Sequence, residues 1–276
     1  MRSVRTLRNA LLLVALALVA ARAQVVAPAR VFIGHETEIE EFLRTAPIER
    51  VEELSLGVTR PSRAWLQAGG PVASAAWKPI RPGTYKGFRE SYQAEIAAYE
   101  MDKLLELHMV PPAVERTLNG KAGALIMWID GVRMWRDVPE KPTTPEWKLQ
   151  MVRMGMFDAL IGNVDRNAGN ILIDDRWTVY LIDHSRAFVG FTSLPFDIKT
   201  FDPSLWARMR ALDEPRLQAA LGRWVERKAI RAILSRRDKM AKRFKEKQSG
   251  SAGSTGSTGS AGSVGTVGSG SLGRRP

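Results

Sequence analysis

Between Gly162 and Phe188 the chain reads GNVDRNAGNILIDDRWTVYLIDHSRAF. Two short apolar runs, Ile171–Ile173 and Val179–Ile182, follow a polar segment, and the second ends at Asp183. Asp165 and Asn170 stand five residues apart just ahead of them. Acids set among Ile, Leu, Val and Tyr are costly to take out of water unless a metal, a cation or a substrate compensates them. This segment is therefore expected to fold as part of a site that supplies the compensating charge. Asn and Asp offer hard oxygen donors, which suit Mg2+ or Mn2+ rather than zinc.

Composition narrows the chemistry. The chain has no cysteine, which excludes disulfides, thiolate metal sites and a cysteine nucleophile. The histidines are His35, His108 and His184, too scattered for a zinc site. No G-x-S-x-G is present, so Asp183-His184-Ser185 does not read as part of a hydrolase triad.

The first residues, MRSVRTLRNALLLVALALVAARAQ, have a basic head at Arg2, Arg5 and Arg8 and an apolar run from Ala10 to Ala21. That run is short for a membrane span, and Ala21-Arg22-Ala23 fits a small-x-small cleavage site. Residues 1–23 read as a secretory signal, with an uncleaved N-terminal anchor as the alternative. An exported location follows: secreted, periplasmic or in the lumen of the secretory pathway.

The net charge of +12 is unevenly placed. Residues 24–222 carry a net −2, whereas residues 223–247, RWVERKAIRAILSRRDKMAKRFKEK, carry +8. Basicity confined to one C-terminal helix argues against a general nucleic-acid-binding surface. It is read as a solvated helix, with peripheral contact to anionic lipid as the other possibility. Residues 249–276 are rich in Gly and Ser and read as a flexible tail.

Between the ends the pattern changes once. A helix is expected over Glu38–Arg44, then strands over Val51–Thr59, Arg63–Gln67 and Val72–Ile80. A helix over Phe88–Leu107 precedes two strands, Ala113–Leu118 and Ala122–Ile129, joined by the hairpin signal Asn119-Gly120. Helices are expected at Pro145–Ile161, Pro203–Leu212, Pro215–Leu221 and Val225–Lys247, with a hairpin around Asp174-Asp175. A strand-rich lobe followed by a helical one is an α+β arrangement with a cleft between.

Phosphoryl transfer needs a cation on the donor phosphates, an acid to fix it, oxygen ligands for a divalent metal and a carboxylate to orient the acceptor hydroxyl. Lys78 ends a strand in PVASAAWKPI, and Glu95 lies on the helix that follows. Asp165 and Asn170 have the D-x-x-x-x-N spacing of a kinase catalytic loop, and Asp183 follows a hairpin where kinases place a metal-binding Asp. Taken singly, Lys78 reads as a surface lysine, Glu95 as a solvated helix residue, Asp165-Arg166 as a local ion pair and Asn170 as a turn residue. His184 reads as a neighbour of Asp183 without catalytic duty.

In order, these segments carry a resemblance. AEIAAYEMDKLLELHMVPPAVER, FDALIGNVDRNAGNILI and YLIDHSRAF resemble the atypical secretory-pathway kinases of the Golgi casein kinase and four-jointed type. They are also similar to type II phosphatidylinositol 4-kinases and to HipA-type and CotH kinases. The likeness runs from about Val51 to Lys247. It implies a two-lobed protein-kinase-like fold over residues 24–248, with an N-lobe at about 36–130, a C-lobe at about 131–248 and an ATP cleft between them.

It further implies that Lys78 contacts the donor phosphates, Glu95 pairs with Lys78, Asp165 is the catalytic acid–base residue, and Asn170 and Asp183 bind Mg2+ or Mn2+. Met127, Trp128 and Ile129 would lie next to the adenine. The implied activity moves the γ-phosphate of ATP to a hydroxyl, on a protein or alternatively on a lipid or small molecule. A pseudokinase and an AMP-transferring enzyme are the remaining alternatives. Two departures stand out: Golgi casein kinase-type enzymes usually lack an Asn at the position of Asn170, and the animal enzymes are disulfide-bonded. Leu56-Gly57-Val58-Thr59 is the nearest approach to a glycine-rich phosphate loop.

Overall fold

The computed structural model describes residues 30–54 and 61–253. The segment read as a secretory signal, the Leu56–Thr59 segment and the residues beyond Gly253 lie outside the described residues. An antiparallel five-stranded sheet in the order β1-β2-β3-β7-β6 forms the N-lobe. Its strands are β1 (Ile48–Glu53), β2 (Ser62–Leu66), β3 (Ser74–Lys78), β6 (Ala113–Leu118) and β7 (Lys121–Met127). Asn119 and Gly120 turn β6 into β7 with φ of +50° and +73°, the left-handed pair a tight hairpin requires.

Strand alternation assigns the sheet's two faces. Ala75 and Trp77 pair with Met127 and Leu125 and pack into a core with Ile39 and Leu43 of α1 (Glu36–Thr45). Ala76 and Lys78 pair with Ile126 and Ala124 and face the other way, toward α2 (Tyr92–Leu104). A one-residue slip of β3 would turn Lys78 into the α1 core, so the pairing of Lys78 with Ala124 fixes where its charge goes.

The segment leading into α2 differs from expectation. Phe88–Glu90 is not helical; as β5 it pairs with β4 (Gly83–Tyr85) in a small hairpin turned at Lys86 and Gly87. Ser91 then caps α2, its hydroxyl accepting the Gln93 N–H at 3.0 Å. At the far end Glu106 and His108 have φ of +48° and +57°, which stops the helix short of Leu107.

Buried Asp102 fixes the exit from α2, accepting the N–H groups of Met109 (2.8 Å) and Val110 (3.0 Å). Burial pushes its carboxyl up to about 7 from 3.8, against the pull of those N–H groups and of Arg30. The folded state thus holds a proton there that the unfolded chain has lost. Stability from Asp102 is complete below about pH 4 and is lost as pH rises through about 7. The fall in melting temperature across this window should therefore shrink in Asp102→Asn; slopes equal to the parent's would refute it.

In the C-lobe, α3 (Pro145–Ile161) starts at Thr144, whose hydroxyl accepts the Trp147 N–H at 3.2 Å, with Pro145 in the first turn. A three-stranded sheet in the order β10-β9-β8 follows, with β8 (Val132–Met134), β9 (Ile171–Asp174) and β10 (Val179–Leu181). The sequence pattern shows no sign of β8, which is too short to display a period. Helices α4 (Pro203–Arg210), α5 (Glu214–Leu221) and α6 (Arg227–Gly253) complete the lobe. Helix α6 extends through Ser249–Gly253, which the sequence assigned to the tail.

The basic run on α6 is only partly a solvated face. Ile230, Ile233, Met240 and Phe244 bury one side, and Arg236 is fully buried among them. Its guanidinium donates to Leu160 O at 2.8 Å, at the end of α3, and to Phe191 O. Burial lowers its pKa to about 10. Gly162, at φ +71°, ends α3 against this side chain; a Cβ there would come within 2.9 Å of Arg236 Cζ. Arg236→Met should cost about 2 kcal/mol by stranding these carbonyls, read from the urea midpoint at unchanged m. A variant as stable as the parent would remove Arg236 from this role.

Candidate active site

The register of β3 points Lys78 at α2, and the two meet. Lys78 Nζ lies 2.8 Å from Glu95 Oε1 and 2.9 Å from Asp183 Oδ1. The side chains of Lys78 and Glu95 are 8% and 2% exposed, so an unpaired charge on either would be prohibitive. Burial alone would lower the Lys78 pKa, but Glu95 and Asp183 outweigh it and hold the ammonium above the usual lysine value. Burial alone would raise that of Glu95, but Lys78 and His184 outweigh it and keep the carboxylate ionised. Asp183 is 27% exposed and lies at φ +62°, a left-handed conformation that swings it out of the line of β10.

A second set of contacts fixes the segment from Asn163 to Asn170. Arg166 grips buried Asp158 of α3 with two bonds, Nε to Oδ2 at 2.8 Å and Nη2 to Oδ1 at 3.0 Å. Its Nη1 donates to Asn170 O (2.6 Å) and Ile182 O (2.7 Å), so one guanidinium joins α3, the loop and the residue before Asp183. Nη2 also meets His184 Nε2 at 2.8 Å. Burial lowers the His184 pKa, and a neutral ring accepting from Arg166 keeps its proton on Nδ1, 3.7 Å from Glu95 Oε2. The His184 backbone N–H donates to the same oxygen at 2.9 Å. His184 thus ties the Lys78–Glu95 pair to the loop.

A local Asp165–Arg166 pair, the reading of the dipeptide taken singly, does not form: Arg166 takes Asp158, and the Asp165 carboxylate faces Arg186 at 3.3 Å. The backbone of Asp165 is pinned three times. Its N–H donates to Asn163 Oδ1 at 3.1 Å, and its carbonyl accepts from Asn167 and Asn170 at 3.0 Å each. The last bond uses the Asn170 amide nitrogen and leaves its side-chain oxygen as the atom available to a cation. The Ile182 N–H donates to Asn170 O at 3.2 Å, which sets Asp183 beside Asn170.

Lys78, Glu95, Asp165, Asn170 and Asp183 are therefore linked through one network across the two lobes. Of the three residues expected beside an adenine, Met127 and Ile129 pack into the α1 core on the opposite side of the sheet. Only Trp128 shares the Lys78 side, stacked 4.4 Å from the Arg63 guanidinium. Sequence reasoning missed Asp158, Asn163, Arg166 and Arg186; the one local signal was Asp158, an acid within the apolar run MFDALI.

Among the described residues no three His, Cys, Asp or Glu cluster as a metal site. Asn170 and Asp183 offer two hard oxygens. That set fits Mg2+ or Mn2+, which complete their shell with phosphate oxygens and water.

A small β-rich lobe, a helical lobe and a lysine held between them by two acids define a protein-kinase-like fold. The solved structures that the chain resembles include the Golgi casein kinase, an atypical kinase of the secretory pathway. The Golgi casein kinase with Mn/ADP bound aligns with a TM-score of 0.57 and 19% identity, over 75% of each chain. A second structure of the Golgi casein kinase gives 0.59 and 18%, over 76% of this chain and 75% of that one. Hydra Fam20 with sugar gives 0.54 and 18%, over 76% and 89%. No family model matches the sequence, and no curated protein matches it.

Proposed function

We propose that the chain is an ATP-dependent phosphotransferase that moves the γ-phosphate to a hydroxyl group, on a protein, in an exported compartment. One observation carries this reading: the buried Lys78 ammonium is held between Glu95 and Asp183, which lie 17 and 105 residues away in sequence. Such a cation, with a pinned Asp165–Asn170 loop beside it, suits a triphosphate and its metal. The N-terminal leader pattern supports export.

Lys78 would neutralise donor phosphate oxygens, and Glu95 would hold it in place. Asn170 and Asp183 would hold Mg2+ or Mn2+, which when bound offsets phosphate charge. Asp165 would orient the acceptor hydroxyl and take its proton. The hydroxyl oxygen forms the new bond to the γ-phosphorus as the bond to the β,γ-bridging oxygen breaks, and ADP leaves.

The test is incubation of the purified protein with γ-labelled ATP and Mn2+ or Mg2+ against protein and lipid acceptors. Label on protein supports the reading, and label only on lipid moves the acceptor class. Label transferred from α-labelled ATP instead indicates AMP transfer. Nucleotide binding without any transfer leaves a pseudokinase and ends the enzymatic reading.

A further inference from the structure

We propose that Arg186 is a positioning residue that ties the Asp165 carboxylate to the β4–β5 hairpin, so that this hairpin sets where the acceptor hydroxyl is presented. The inference rests on the phosphotransferase reading for its catalytic meaning, but the tether itself does not. The contrast within Asp165 motivates it. Three asparagine side chains fix the backbone, yet among the described residues Arg186 is the one partner of the carboxylate.

Arg186 is itself fixed from the hairpin. Its Nε and Nη2 both reach Glu90 Oε1, at 2.8 and 2.7 Å, which leaves Nη1 for Asp165. Its guanidinium lies 4.4 Å from the centre of the Phe88 ring, which sets the plane of the fork. Glu90 is 6% exposed, so this is a built contact and not a chance surface pair. Arg89 of the hairpin forms a surface pair with Glu226, and just past β5 the Ser91 N–H donates to Ser185 O at 3.0 Å. A wall anchored on both lobes therefore reaches the carboxylate through a single planar side chain.

Two apolar side chains are exposed near that carboxylate: Phe88, stacked on Arg186, is 48% exposed, and Val164, adjacent in sequence to Asp165, is 53% exposed. The acceptor these groups suit is a hydroxyl-bearing peptide segment with an apolar neighbour. Arg186 adds no net positive charge to attract an anion, because Glu90 and Asp165 already balance it.

The experiment compares the full chain with Arg186→Ala, Arg186→Lys and Glu90→Gln. Loss of the fork should raise amide hydrogen exchange in Gly83–Glu90 by about tenfold with Mn–ADP affinity close to the parent's. Arg186→Ala, which strands the buried Glu90 carboxylate, should also lower the melting temperature, whereas Glu90→Gln removes that charge and should lower it less. With dephosphorylated casein as a protein probe, kcat should fall by about tenfold to a hundredfold in Arg186→Ala and Glu90→Gln. Arg186→Lys, which keeps the charge but not the planar fork, should lie between. Unchanged hairpin exchange in Arg186→Ala would overturn the tether. Changed exchange with unchanged kcat would overturn its role in transfer. A parent that binds Mn–ADP but labels no acceptor removes the phosphotransferase reading and this catalytic role with it, while the exchange result still decides the tether.

Discussion

Asp165→Asn should lower phosphate transfer by roughly a hundredfold to ten-thousandfold, the usual contribution of a positioned general base. Asparagine fills the same space but cannot take the hydroxyl proton. The loop should survive the change, because its bonds to Asn163, Asn167 and Asn170 run through the Asp165 backbone. Lys78, Asn170 and Asp183 are untouched, so affinity for Mn–ADP should stay within a few-fold of the parent's. The measurement is initial rate with γ-labelled ATP beside calorimetric binding of Mn–ADP. An Asp165→Asn variant as fast as the parent would take Asp165 out of the chemistry. Loss of nucleotide binding together with rate would make its role structural.

Asp183→Ala should abolish the metal-dependent part of nucleotide affinity, a loss beyond the roughly 10–100-fold that removing an outer-shell partner of a metal site costs. Asp183 supplies one of the two protein oxygens of the candidate metal site and the only carboxylate in it. The variant should remain folded. Lys78 keeps Glu95 at 2.8 Å, and alanine at φ +62° costs only about 1–2 kcal/mol. Titration of ADP with Mn2+ and with a chelator isolates the effect: the difference between the two should vanish. A variant that still gains affinity from Mn2+ would place the metal elsewhere.

The Lys78–Glu95 and Asp183 contacts show how far local pattern reached. Strand alternation in SAAWK sets Lys78 and Ala76 on one side of β3, and the D-x-x-x-x-N spacing sets Asp165 and Asn170 at the two ends of one loop. Those are properties of backbone period and spacing, which neighbouring residues determine. The helix boundary at Phe88 went wrong for the same reason. An amphipathic run looks helical until the Lys86-Gly87 turn pairs two three-residue strands, too short for any period to register.

The sequence by itself determined the order of the five N-lobe strands and the main helices and the absence of thiol chemistry, and it named the five polar residues that the structure links in one network. The tertiary structure alone decided which charge meets which. It gave Arg166 to Asp158 and Asp165 to Arg186, buried Arg236 in a run that otherwise looked solvated, and turned Met127 and Ile129 away from the Lys78 face. The reason is physical. A side chain's period is set by its neighbours along the chain, but the partner that makes a buried charge tolerable comes from wherever packing brings an opposite charge or a carbonyl within reach.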